Sequence, residues 1–243
     1  TWSFALSAMD QIVNHAAKIT YMSSGRIHCP VVFRGPAGTG NQLSAQHSQS
    51  LESWYAHTPG LKVVLPYTPE DAKGLLNTAI RDDNPVIFME HAGLYAMRGE
   101  VPEDPGFTVP FGKAAIRREG SDVTLIGYSI MVRKCLTAAE RLEAEGVSCE
   151  VVDLRTLTPL DMETIMGSVS RTHRVVVTQE EWRNVGFAAE IAARLADEGF
   201  DELDAPVKRV GGADVPMPYA KELEQAAIPG IEAIIEAVRE VMQ

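Results

Sequence analysis

The residue best placed to do chemistry in this chain is His47, in the polar run Ala45-Gln-His-Ser-Gln-Ser50. An imidazole changes charge close to neutral pH and can act as acid or base without a large shift. The run follows a glycine-rich loop, Ala37-Gly-Thr-Gly40, and precedes Leu51–His57, which reads as a helix. A histidine where a flexible loop enters a helix can exchange protons with a ligand, or simply cap the helix. His57 and His91 read as structural or surface residues. A second group with a chemical rationale is Ala79-Ile-Arg-Asp-Asp-Asn84, at the end of a predicted helix. The last carbonyls of a helix have no internal partner and carry the negative end of its dipole. Such oxygens suit a hard cation, and an ordinary polar helix end has the same composition.

The elements that must hold these groups alternate between strand and helix. Periodicity predicts a helix over about Phe4 to Met22, strand Val31–Arg34, helix Ser48–His57 and strand Leu61–Leu65. Helix Pro69–Arg81 follows, with Thr68 as N-cap and proline in the first turn, and then strand Val86–Glu90. Near-continuous apolar strands such as Pro85-Val-Ile-Phe-Met89 suit a parallel sheet covered on both faces. Glu100-Val-Pro-Glu-Asp-Pro-Gly106 is charged, proline-rich and aperiodic, so residues 101–112 read as a linker between domains 1–100 and 113–243.

Beyond the linker, strands are predicted at Val123–Tyr128, Val147–Leu154, Val175–Thr178 and Val207–Val210. Helices are predicted at Ile130–Glu145, Asp161–Ser170 and Gly186–Glu198, with a closing helix carrying Ile231, Ile234, Ile235, Val238 and Met242. The expected architecture is two mostly parallel-sheet α/β domains joined by right-handed crossovers.

Composition narrows the function. The 243 residues carry a net charge of −11, and no basic patch is available to displace phosphate counterions, so nucleic acid is not an expected partner. No apolar run approaches the ~20 residues of a membrane helix, and no signal-like segment leads the sequence. Cys29, Cys135 and Cys149 lie in or beside apolar segments and read as reduced core thiols, as in a cytoplasmic protein. Gly211-Gly212 lacks the G-x-G-x-x-G pattern of a dinucleotide site.

The order of Val31–Pro36, Ala45–His57 and Leu61–Leu76 resembles the beta subunit of thiamine-diphosphate-dependent 2-oxoacid dehydrogenases, and the resemblance runs from Thr1 to Gln243. It implies a transketolase-like fold, with an incomplete pyrimidine-binding domain followed by a transketolase C-terminal domain. It implies oxidative decarboxylation of pyruvate with reductive acylation of lipoyl groups. Acetoin dehydrogenase beta chains are a close alternative, on Asp10–Lys18, Met97–Asp104 and Asp153–Asp161, and a non-catalytic interaction fragment is another.

Carried over residue by residue, the resemblance places His47 before the thiamine thiazolium and the reacting 2-oxoacid, as a hydrogen-bond donor or proton shuttle during acyl transfer. Phe4, in Thr1-Trp-Ser-Phe4, would stack on the aminopyrimidine; a glutamine found three residues later in related chains is Ser7 here. Val31, Ala79, Ile80, Asp82 and Asn84 would ligate a structural potassium, mostly through carbonyls. Asp204, in Leu203-Asp-Ala-Pro206, would meet the basic subunit-binding domain of the acyltransferase. The glutamate that activates thiamine would lie upstream of Thr1, so the sequence is expected to lack the front of its first domain. Magnesium and the diphosphate would be held by an alpha subunit, in an assembly of two alpha and two beta chains that also engages lipoyl domains. In a eukaryote the compartment would be the mitochondrial matrix.

Overall fold

A computed structural model describes all residues, Thr1–Gln243. The first strands are β1 (Val32–Ala37), β2 (Lys62–Val64) and β3 (Val86–His91), which pair in parallel in the order β1-β3-β2. Parallel pairing demands crossovers. The one between β2 and β3 is α3 (Pro69–Ile80), after the short helices α1 (Ile19–Met22) and α2 (Glu52–Ala56). Its start is as predicted: Pro69 occupies the first turn, and the Asp71 amide donates to Thr68 Oγ1 at 3.0 Å.

The second sheet runs β4-β6-β5-β8-β9, from β4 (Ala115–Arg118), β5 (Val123–Gly127), β6 (Cys149–Asp153), β8 (Val175–Trp182) and β9 (Lys208–Gly212). Only β4 is antiparallel to its neighbour. Helices α4 (Ile130–Glu143), α5 (Met162–Thr172), α6 (Phe187–Glu198), α7 (Lys221–Ala227) and α8 (Ile231–Val241) complete this half. Both sheets are therefore mostly parallel, the architecture expected from sequence.

Besides β4 and α7, which lie outside the predicted elements, three features depart from the sequence expectation. The predicted helix over Phe4 to Met22 is wound in three ways: a 3-10 segment Trp2–Ala8, a π segment Gln11–Ala16, then α1. Trp2, Ile12 and Ala17 are all buried in one core. In a regular α-helix, Trp2 and Ile12 would point about 80° apart, and Ile12 and Ala17 about 140° apart. The altered winding, including an Ala17 amide bond to the Ile12 carbonyl at 3.0 Å, brings all three to that core. Helix α2 begins at Glu52 rather than Ser48; Ser50, just before it, is drawn into a contact with the second half, detailed below.

The third departure is β7 (Thr156–Thr158), which follows β6 in sequence yet pairs antiparallel with β2 in the first sheet. The two halves also share one apolar core, in which Leu65, Ile87 and Met89 meet Ile126, Val152 and Val177. Residues 101–112 contain no strand or helix and lie as a strap along α3. Asn77 Nδ2 donates to the Phe107 carbonyl at 2.8 Å and Thr78 Oγ1 to the Val109 carbonyl at 2.6 Å. A Cβ at Gly74 would meet Val109 at 2.5 Å and Phe107 at 2.7 Å, which accounts for a glycine inside α3. Buried Asp71 and Asp153 share Arg117 across the boundary, with Arg155 2.8 Å from Asp71.

Candidate active site

His47 sits in the irregular segment between β1 and α2, half-buried, with its amide donating to the Ser44 carbonyl at 3.3 Å. Phe4 lies across from it. The two rings stack with centroids 5.3 Å apart and planes 22° from parallel, and Phe4 remains 66% exposed. The fold thus joins the start of the first domain to the loop between β1 and α2, where the sequence singled out Phe4 and His47. His47 Nδ1 is buried with no partner in the chain. The exposed face of Phe4 can stack a planar heterocycle, with the half-buried imidazole of His47 beside it. Ser7 is exposed and makes no hydrogen bond. The histidine does not cap the helix, whose N-cap position is Leu51.

Behind the His47 segment lies a buried polar cluster that sequence reasoning missed. His91, expected to be structural or surface, is 8% exposed and ends β3 against the C-terminal part of β8. Its Nε2 lies 2.9 Å from Glu180 Oε2, while Nδ1 accepts from the Gly93 amide at 3.0 Å, which places the ring proton on Nε2. Gly38 makes this possible: its φ is +93°, and a Cβ there would come within 2.2 Å of the His91 ring.

Burial alone would raise the Glu180 carboxyl. His91, Lys134 and the Thr39 amide outweigh it and hold the group at about 2. Glu52, buried nearby, goes the other way: desolvation and the neighbouring carboxylates of Glu181 and Glu180 push it well above the ordinary range. Tyr128, beside Glu52, is raised for the same reasons. Glu181 is also raised by burial, against donors from Ser53 and Phe187. The signal available in sequence was Glu180-Glu181 at the end of an apolar strand, since paired acids there must find buried partners.

The residues of the potassium expectation meet at one end of the first sheet. The Val31 carbonyl accepts from the Val86 amide at 2.9 Å, and Ala79 lies one turn back from Asp82, whose amide bonds its carbonyl at 3.3 Å. Asp82 Oδ1 accepts from the Asn84 amide and side chain, both at 2.9 Å, and Oδ2 pairs with Lys62. Burial opposes ionisation of Asp82, but the bonds from Lys62 and Asn84 prevail and lower its carboxyl. Ile80 is exposed. Asp204 stands apart in an exposed turn after α6, 3.6 Å from Arg174. It is remote in kind from the stacked pair and already has a cationic neighbour.

A groove of about 910 Å³ contains neither Phe4 nor His47. It runs between α2 and the start of α6, past Trp54, His57, Trp182 and Phe187. No cluster of three or more His, Cys, Asp or Glu residues is arranged to hold a metal. Cys135 and Cys149 are buried free thiols, each pushed up to about 12 by desolvation, and Cys29 is a half-buried free thiol. No helix is long and apolar enough to cross a membrane.

Residues 2–98 match the family "Transketolase, pyrimidine binding domain", and residues 112–234 match "Transketolase, C-terminal domain". The chain is 51% identical over 243 residues to the pyruvate dehydrogenase E1 component subunit beta of Rickettsia felis, covering 99% of this chain and 74% of that protein. It is 48% identical over 241 residues to the protein of the same name from Rhizobium meliloti, spanning about half (52%) of that longer protein. The mitochondrial counterpart of Caenorhabditis elegans is 51% identical, with 69% of its length covered. Among solved structures, a "Split gene transketolase, inactive beta4 tetramer" superposes with a TM-score of 0.78 at 26% identity, over 99% of this chain and 73% of the other.

Proposed function

Because this chain belongs to the family of pyruvate dehydrogenase E1 beta subunits, built from transketolase pyrimidine-binding and C-terminal domains, we propose that it forms the beta half of a thiamine-diphosphate-dependent pyruvate dehydrogenase component. The overall reaction is oxidative decarboxylation of pyruvate, with transfer of the acetyl group to a lipoyl group. The observation that carries this reading is the stacked Phe4–His47 pair on an open face, 5.3 Å apart.

The residues present fit one half of the cofactor. The exposed Phe4 ring offers an apolar platform to a flat base and excludes water from it. The magnesium and the diphosphate would be held by an alpha chain. When bound, thiamine diphosphate supplies the electron sink for loss of CO₂. His47, beside the exposed Phe4 ring, orients the 2-oxoacid through a hydrogen bond and holds or releases a proton as the acyl group leaves. Two alpha and two beta chains would form the working unit, with potassium at Val31, Ala79, Ile80, Asp82 and Asn84. Lipoyl domains and the acyltransferase subunit-binding domain would dock on it, the latter at Asp204. The free thiols suit a reducing compartment, the cytoplasm or a mitochondrial matrix.

The test is reconstitution. The beta chain alone, given thiamine diphosphate, Mg²⁺ and pyruvate, is expected to show no turnover, and the same beta chain mixed with alpha is expected to show it. Steady-state decarboxylation by the isolated chain would contradict the division of labour.

A further inference from the structure

His47 lies in residues 38–51, a stretch with neither helix nor strand, so its position must be set by contacts made elsewhere. Those contacts come from acids of the second half. Glu180 Oε1 accepts from the Thr39 amide at 2.7 Å and from Ser50 Oγ at 3.3 Å, near the two ends of the stretch. The same carboxylate takes the His91 Nε2 contacts at 3.1 and 2.9 Å, so its orientation is locked by a third group. Glu224, on α7 and 2% exposed, accepts from the Gln42 amide at 3.0 Å. Just beyond, Glu181 accepts from the Ser53 amide at 2.8 Å and from its hydroxyl at 2.5 Å. The bonds to Glu180 are buried and those to Glu224 and Glu181 partly buried, and each crosses between the two halves.

We propose that Glu180 is a positioning residue for His47: with Glu224 and Glu181 it clamps the chain at Thr39, Gln42, Ser50 and Ser53, on both sides of His47, so that the second half sets where the imidazole stands. The inference rests on the reading of His47 as the acid–base group. A rigid carboxylate aimed at backbone amides fixes a loop far better than side-chain packing alone. Displacing a reacting group by about 1 Å can cost ~10²-fold in rate.

The experiment combines amide hydrogen exchange of the chain with a two-residue cycle in the assembled alpha–beta enzyme, read as acyl transfer to a lipoyl domain. Glu180→Ala is expected to speed exchange across residues 38–50 at least about tenfold, while protection of β5 and β6 is unchanged. It is also expected to slow acyl transfer by about 10²-fold with little change in KM. Glu180→Gln keeps an oxygen for Thr39 and should recover most of the loss; if Glu180→Ala does not fold, Glu180→Asp, which withdraws the carboxylate by one methylene from Thr39 and Ser50, is expected to show the same faster exchange and slower transfer. In a His47→Ala background, Glu180→Ala should cost less than about twofold more, because the two act as one unit. Unchanged exchange in the loop, or losses that multiply in the double variant, would overturn the proposal. An inert His47→Ala single variant would instead remove the reading of His47, and the exchange result would still decide whether the clamp exists.

Discussion

The Phe4 and His47 rings stack at 5.3 Å although they belong to segments on opposite sides of β1. Trp2 points inward, edge-on to Tyr55 at 5.6 Å, while Phe4 is turned out onto the face where His47 emerges. An aromatic residue left 66% exposed beside a half-buried histidine is a costly surface unless something flat covers it.

Replacing His47 by alanine in a full-length beta chain assembled with alpha is expected to impair acyl transfer by 10²–10⁴-fold, the usual worth of a positioned acid–base group. Cofactor affinity, measured by calorimetry, should change little, because the Phe4 platform remains. Acyl transfer within about twofold of the parent would leave His47 without a catalytic role.

Potassium is expected to raise the thermal midpoint of the assembled protein, and Asp82→Ala to abolish that response. A ligand bound only in the folded state stabilises by RT ln(1 + [L]/Kd), about 2.7 kcal/mol at ~100 Kd. Asp82 also pairs with Lys62 and holds Asn84, so the variant will start from a lower midpoint. The informative quantity is therefore the difference between potassium and a bulky organic cation at matched ionic strength, within each protein. Equal midpoints in the parent would remove the site.

Asp204→Ala should weaken docking of the acyltransferase subunit-binding domain by less than about 1 kcal/mol, with a flatter salt dependence. The side chain is 58% exposed and already faces Arg174 at 3.6 Å, so it has the character of a rim charge. Calorimetry at two salt concentrations measures both effects. A loss of several kcal/mol would place Asp204 inside the interface, and no change in either quantity would make it a loop residue.

Acid should loosen the junction between the halves through Glu180. Its carboxyl is depressed from about 4.5 to about 2, so it contributes stability that is fully present above pH ~4.5 and is lost as pH falls toward 2. The contribution is roughly 3 kcal/mol, opposed over part of that range by Glu52 and Glu181, whose raised carboxyls are easier to protonate in the fold. Unfolding midpoints of the parent and Glu180→Gln should converge as pH drops from 5 to 3. Parallel curves would show that Glu180 is not a linked group.

How much of this was legible in sequence depended on the range of the interaction concerned. Strand β3, capped helix α3 and the apolar stripe of α8 follow from local pattern, because a core-facing side is imprinted every two residues in a strand and every three or four in a helix. His47 stood out through its type and its loop, and family resemblance supplied Phe4. By contrast, β7 carries only three residues and no alternation to read; it is a strand because β2 offers an open edge. The 3-10 and π winding near the start is likewise a tertiary outcome, in which burial of Trp2, Ile12 and Ala17 outweighs regular helical geometry.

By itself the sequence determined the alternation of elements, the mostly parallel sheets and the histidine that emerges after the glycine-rich loop, since each is written in short-range periodicity and residue type. Only the tertiary structure decided that His91 is buried against Glu180, and that Glu180, Glu181 and Glu224 grip residues 39, 42, 50 and 53 from the other half of the chain. Those bonds join positions separated by 89 to 182 residues, and no local pattern encodes them. They exist because a carboxylate shut away from water must find donors, and folding brings the unpaired amides of the His47 loop within reach.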